Sequence, residues 1–125
     1  LGGDPTCSCG TIYRIKLNTS TFVPQILYTF KGHSNNDGEA PSGKIVVDNG
    51  VVYGTTEKGG MPTLSGGTAY GVNITSQMKV AYYALNSASE GGSPFSGLVE
   101  NAGLFYGTAR AAGANNAGTV FQFQP

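Results

Sequence analysis

One heptapeptide is repeated in this chain and constrains its fold more than any other feature. Residues 50–56 (GVVYGTT) return 53 positions later as residues 103–109 (GLFYGTA). Three Gly-Thr segments, which begin at Gly10, Gly67 and Gly118, alternate with these two copies. A repeat of about 50 residues is typical of proteins built from stacked structural units, and four short strands per period is the pattern of a propeller blade.

An Asn-Gly pair separates two β-rich runs within the first period. Residues 44–48 and 51–56 are rich in Val, Thr and Tyr, and Asn49-Gly50 lies between them. This dipeptide favours a type I′ turn, because both central residues of such a turn need positive φ. We therefore predict a β-hairpin over residues 44–56 and a second hairpin that turns at Asn101-Ala102-Gly103.

The other segments predict further strands and no regular helix. Residues 25–31 (QILYTFK) and 79–85 (KVAYYAL) hold the β-branched and aromatic residues that suit a pleated surface. Apolar residues nowhere recur with helical spacing over a long window. We predict an all-β, antiparallel chain of two four-stranded, propeller-blade-like repeats plus one extra strand. Its parts are an N-terminal arm (1–9), repeat unit 1 (10–66), repeat unit 2 (67–117) and the terminal strand of a third, incomplete unit (118–125).

The composition excludes some partners. Only 11% of the residues are charged and the formal net charge is zero, whereas soluble domains average about 25% charged residues. Such a surface does not attract nucleic acid or an anionic membrane. No apolar run approaches the roughly 18 residues of a membrane span. We expect no nucleic acid partner, no membrane insertion and, from the low charge with many Gly, Ser, Thr and Asn, an extracellular or cell-surface location.

The second period carries a family resemblance. Residues 98–108 (LVENAGLFYGT), followed after a Gly-rich spacer by 118–121 (GTVF), resemble the bacterial tandem repeat called GloVer. The similarity covers nearly the whole chain after residue 9. The first copy departs from it with Lys44-Ile45-Val46 at the family's Leu-Val start, and Gly71 interrupts the middle Gly-Thr strand. The resemblance implies a propeller-like repeat of surface or secreted proteins, and it implies neither a catalytic residue nor a ligand.

Side chains that could support catalysis are few and scattered. Asp37 and Glu39 are the only close pair of carboxylates, and a glycosidase needs two that flank one sugar bond. His33 is the only histidine, and no GxSxG motif supplies a nucleophile for it. Together with Asn35, the two carboxylates also form a sparse candidate site for calcium. We expect a protein that is not an enzyme and that binds no cofactor.

Aromatic residues recur at matched positions of the repeat. We expect five of them to pack between units, namely Tyr13, Tyr53, Tyr70, Tyr106 and Phe121. Three others are candidates to stack on sugar rings, namely Tyr28, Tyr82 and Tyr83. These three support the alternative function, a carbohydrate-binding or carbohydrate-cleaving β-module.

Two motifs concern covalent modification. Cys7 and Cys9 could close a short disulfide ring, bridge to another chain or stay reduced, and an oxidising extracellular setting favours a disulfide. Asn18 and Asn73 each begin an N-glycosylation sequon.

The strand count leaves one strand without a partner in its unit. A propeller has about four to eight blades, and open sheet edges invite pairing with another chain. The chain is therefore either a fragment of a longer repeat protein or is completed by copies of itself, unless its two units close into a sandwich or barrel. We predict a non-catalytic structural or adhesive module of the cell exterior. It associates head-to-tail through residues 1–17 or 118–125, into a filament or a ring.

Overall fold

A computed structural model describes residues 4–17 and 20–125 of the chain. Nine strands lie in this part. They are β1 (Thr11–Arg14), β2 (Gln25–Thr29), β3 (Gly38–Asp48), β4 (Val51–Gly59), β5 (Thr68–Asn73), β6 (Lys79–Ala84), β7 (Gly92–Asn101), β8 (Leu104–Ala111) and β9 (Thr119–Phe123). One 3-10 turn, His33–Asn35, is the only helical element of the described residues, and no helix there is long and apolar enough to cross a bilayer. The predicted all-β class is confirmed.

The strands form three layers. Strands β1 and β2 pair only with each other, and we call them the outer pair. The other seven strands form one continuous sheet in the order β6-β5-β4-β3-β7-β8-β9. We call its β6-β5-β4-β3 part the central sheet and its β7-β8-β9 part the terminal sheet. Neighbours within each layer are antiparallel. A single parallel pair, Lys44 with Gly97, joins β3 to β7 and so links the central and terminal sheets.

Both predicted hairpins are present. Asn49 and Gly50 connect β3 to β4 with φ values of 47° and 76°, as a type I′ turn requires. Ala102 and Gly103 connect β7 to β8 with φ values of 53° and 79°. The two turns are therefore alike, although the second has alanine at the position of asparagine.

The sheets and the sequence periods are offset by two strands. Repeat unit 1 contains β1 to β4, yet the central sheet is made of β3 to β6. The offset arises because the Gly-Thr strand β5 pairs with β4, the Tyr-Gly-Thr strand that precedes it in the chain. The same relation holds in the terminal sheet, where the Gly-Thr strand β9 pairs with β8. Each sheet thus combines the end of one period with the start of the next.

Two apolar cores hold the three layers together. The first lies between the central and terminal sheets and consists of Tyr53, Ala69, Leu85, Leu98, Phe105, Ala109, Phe121 and Phe123. The second lies between the outer pair and the central sheet and consists of Cys9, Ile12, Leu27, Phe30, Val52, Tyr70 and Val72. Alternate residues of β4 enter opposite cores, as the two-residue period of a strand requires. The central sheet is therefore covered on both faces.

Candidate interaction surfaces

The central and terminal sheets pack on each other through aromatic side chains. Tyr53 on β4 is buried, and its ring lies 4.2 Å from that of Phe105 on β8, measured between centroids. Phe123 on β9 completes the aromatic cluster, with its centroid 6.5 Å from that of Tyr53. Large side chains buried in this way each stabilise the fold by about 1.5–3 kcal/mol.

The far side of the terminal sheet repeats the residues that are covered on the central sheet. Tyr106 pairs with Val99 in the second hairpin as Tyr53 pairs with Val46 in the first. Val120 on β9 holds the position of Ala69 on β5, next to the Gly-Thr pair. Val99 and Val120 are 68% and 77% exposed, and Tyr106 is half-buried in a shallow groove between them. We call these three residues, Val99, Tyr106 and Val120, the open face.

The outer pair also has one covered and one uncovered side. Ile12 and Leu27 point into the core beneath the outer pair and are buried. Tyr13, Ile15 and Ile26 are 58%, 42% and 53% exposed. Both ends of the three-layer stack therefore present apolar side chains that no described residue covers.

The aromatic residues predicted to pack between units divide accordingly. Tyr53, Tyr70 and Phe121 are buried, and Tyr106 is only half-buried. For Tyr13 the prediction is wrong. Tyr70 packs on Phe30, 5.0 Å away between ring centroids, in the core beneath the outer pair. Tyr13 has no such layer over it, and within the described residues β1 pairs with β2 alone.

A groove of about 370 Å³ lies between β1 and the central sheet, and no residue of β2 lines it. Its wall includes Ile12 and Tyr13 of β1 together with Pro41, Gly43, Ile45 and Tyr70 of the central sheet. Ile45 is 46% exposed here, whereas its repeat counterpart Leu98 is buried beside Tyr53 and Phe105. We call this feature the β1 groove.

A buried ion pair connects the outer pair to the central sheet. Asp37 is 2% exposed, and its carboxylate accepts hydrogen bonds from Lys79 Nζ at 2.7 Å, Tyr28 Oη at 2.9 Å and the Lys31 backbone N–H at 3.0 Å. Burial alone would raise the pKa of Asp37, but these three donors lower it below its usual value. Lys79 Nζ also lies 3.9 Å from the ring centroid of Tyr82, in the range of a cation–π contact.

This arrangement argues against the calcium hypothesis. The Asp37 carboxylate turns inward to Lys79, while the Asn35 side-chain amide donates to the Lys31 carbonyl at 2.9 Å. Among the described residues, no three His, Cys, Asp or Glu side chains gather where they could hold a metal ion. The ammonium group of Lys79 therefore already supplies the positive charge that faces the Asp37 carboxylate.

Of the three tyrosines considered for glycan contact, Tyr28 and Tyr83 donate hydrogen bonds within the fold, whereas the buried hydroxyl of Tyr82 has no hydrogen-bond partner among the described residues. Tyr28 donates to Asp37 and is half-buried, and burial followed by that hydrogen bond raises its pKa well above the usual value. Burial and the nearby Asp37 charge raise the pKa of Tyr82 to about 12. Tyr83 is 39% exposed and donates to Glu90. The three rings do not form one flat exposed platform.

Of the residues in the covalent motifs, the structure describes Cys7 and Cys9, which precede β1, and Asn73, which ends β5. Cys7 and Cys9 form a disulfide with each other, and Cys9 is buried in the core beneath the outer pair. Asn73 lies at the end of β5, where its Oδ1 accepts the backbone N–H groups of Thr75 and Ser76, each at 2.9 Å. Asn18 lies outside the described residues.

Antiparallel sheets that each combine the end of one sequence period with the start of the next define a modular β-repeat protein. The comparisons with known proteins agree with this class. The family model of the Gloeobacter/Verrucomicrobia repeat matches residues 2–125. The chain belongs to this family, as its GloVer resemblance implied. No curated protein and no solved structure matches the chain.

Proposed function

We propose that this chain is a non-catalytic structural or adhesive module that associates head-to-tail with copies of itself. The observation that carries the proposal is the match between a covered surface and an open one. Tyr53 of the central sheet is covered by Phe105, whereas Tyr106 at the same repeat position lines an open groove. A surface with the same residues as a buried one gains similar apolar contacts when a similar sheet covers it.

The distribution of charge also favours association. The whole chain has no formal net charge, so two copies repel each other little. The open face consists of two valines and a tyrosine, and the exposed side of the outer pair contributes Tyr13, Ile15 and Ile26. Apolar surfaces at opposite ends of a stack are the arrangement from which head-to-tail chains form, as filaments or closed rings.

A location outside the cell or on its surface is part of the same proposal. The disulfide between Cys7 and Cys9 supports it, since disulfides persist mainly in oxidising compartments. The proposal includes no catalytic step.

Sedimentation velocity over a concentration series tests the proposal. We expect the wild-type chain to form species larger than the monomer, and we expect Tyr106→Asp to abolish them by placing a charge on the open face. Met78→Asp is the matched control, since Met78 is 65% exposed in the turn between β5 and β6 and lines neither the groove of the open face nor the β1 groove. A wild-type chain that stays monomeric at every concentration contradicts the proposal.

A further inference from the structure

Each Gly-Thr strand within a sheet places an aromatic ring over a glycine of its neighbour. In the central sheet Tyr70 pairs with Gly54, and in the terminal sheet Phe121 pairs with Gly107. A Cβ atom on Gly54 would lie 2.5 Å from Tyr70 Oη, and one on Gly107 would lie 2.5 Å from Phe121 Cζ. Only glycine leaves room for these rings, so the glycine of Tyr-Gly-Thr and the aromatic residue of the Gly-Thr strand form a matched pair.

The third Gly-Thr strand, β1, has the aromatic residue without its glycine. Tyr13 occupies the position of Tyr70 and Phe121 in the repeat, and it is 58% exposed. Within the described residues, β1 pairs with β2 alone, so its second edge is free. A free strand edge presents backbone N–H and C=O groups that an added strand can pair with.

The β1 groove could receive the tyrosine of a Tyr-Gly-Thr strand that pairs with β1. Between the central and terminal sheets, Tyr53 packs in one core with Leu98 and Phe105. Ile45 holds the position of Leu98, and it lines the β1 groove. A Tyr-Gly-Thr strand added to β1 would place its glycine beneath Tyr13 and its tyrosine in this groove.

We propose that β1 is the acceptor for the β7–β8 hairpin of a second copy of this chain. Strands β7 and β8 of one copy and strands β1 and β2 of the next then form a complete four-stranded sheet like the central one. This inference rests on the proposed function and names the contact through which two copies join. It accounts for the free edge of β1, the exposure of Tyr13 and the open face around Tyr106 with a single interaction.

The hairpin must exchange one partner to make this contact. In the isolated chain the outer edge of β8 is paired with β9. Strands β1 and β9 are both Gly-Thr strands, with Tyr13 equivalent to Phe121, so β1 can replace β9 with the same register and the same glycine beneath its ring. The exchange of an equivalent strand between copies is the principle of domain swapping, which forms assemblies at low cost.

A peptide of residues 97–110 (GLVENAGLFYGTAR) tests the acceptor directly, because the peptide has no β9 to displace. We expect this peptide, labelled with fluorescein, to bind the full chain in fluorescence anisotropy at protein concentrations where the chain is monomeric. The same peptide with Gly107→Val should bind about tenfold more weakly or worse, because the added side chain meets Tyr13. Valine favours the strand conformation, so equal or tighter binding of the valine peptide overturns the proposal.

Variants of the full chain locate the binding site. Ile45→Asp and Tyr13→Ala alter partly exposed residues of the β1 groove, and each should weaken binding of the wild-type peptide, while Met78→Asp should not. Circular dichroism confirms the fold of each variant, and Tyr13→Ala serves if Ile45→Asp does not fold. Undiminished binding by Tyr13→Ala overturns the inference. Peptide capture by a chain that never self-associates contradicts only the proposed function, whereas a self-associating chain that does not bind the peptide contradicts only the acceptor.

Discussion

Tyr53 packs on Phe105 with 4.2 Å between the ring centroids, and this contact joins the central sheet to the terminal sheet. The equivalent tyrosine of the next period, Tyr106, has no such partner among the described residues and lines a shallow groove instead. One repeat position therefore occurs once as a core residue and once as a surface residue. Tyr53 therefore stabilises the single chain, whereas Tyr106 is accessible to a second copy.

The first prediction compares these two tyrosines. Tyr53→Ala should lower the free energy of unfolding by about 3–5 kcal/mol, because it truncates a large buried aromatic side chain. Tyr106→Ala should cost the dilute chain about 1 kcal/mol or less, as expected for a side chain near the surface. Urea unfolding at low protein concentration measures both values, and equal losses would contradict the assignment of Tyr106 to an open face.

The second prediction concerns the Asn49-Gly50 turn. Gly50 has φ of 76° and no atom within 4 Å of the position of an added Cβ, so Gly50→Val tests backbone conformation without a steric clash. It should destabilise the chain by about 1 kcal/mol or more, since a β-branched residue resists positive φ. Gly50→Asn is the control and should cost less, because asparagine tolerates this conformation. Equal stability of the two variants would argue against the type I′ turn.

The third prediction uses the buried ion pair. Because the pKa of Asp37 is lower in the folded chain than its ordinary value, the stabilisation from its ionised form is fully present above that ordinary value. It is lost as the pH falls through the lower pKa of the folded state. Asp37→Asn should therefore destabilise the chain by about 2–4 kcal/mol at neutral pH, since it leaves Lys79 without its anion. Stability of the variant should also depend less on pH in the acidic range.

A surface ion pair provides the control for Asp37. Glu57 pairs with Arg110 at 2.8 Å, and the arginine side chain is 64% exposed, so Glu57→Gln should change the free energy of unfolding by no more than about 1 kcal/mol. Chemical unfolding at several pH values from neutral to acidic measures both variants. A wild-type stability that does not fall in acid, or an Asp37→Asn variant as stable as the wild type, would contradict the role of Asp37.

Local chemistry made the hairpins predictable from the sequence. The Asn49-Gly50 dipeptide specifies its turn through the φ values of two adjacent residues, and the period of the Tyr-Gly-Thr and Gly-Thr segments indicates the number of strands. The pairing of strands could not be predicted in this way, because the hydrogen-bond partner of a strand need not lie in the same sequence period. Thr56 pairs with Thr68 across the boundary that the sequence placed between residues 66 and 67.

The environments of Tyr13 and Asp37 could not be predicted from the sequence. Repeat equivalence predicts that Tyr13 resembles Tyr70. Tyr70 is buried because Phe30 and the outer pair pack over it, and the sequence of β1 cannot reveal whether such a layer covers Tyr13. Asp37 meets Lys79 across 42 positions of sequence, and neither residue belongs to a repeated motif. Such distant pairs leave no periodic signal, so the ion pair became evident only in three dimensions.

The fluorescence of a single tryptophan tests the central claim most directly, because the natural chain contains no tryptophan. In Tyr106→Trp we predict an emission maximum that shifts to the blue, and a falling sensitivity to acrylamide quenching, as protein concentration rises and a second copy covers the open face. Tyr53→Trp is the reference, and its emission should be blue-shifted and independent of concentration. Emission from Tyr106→Trp that stays red-shifted and freely quenched at concentrations far above those of dilute assays would contradict the account.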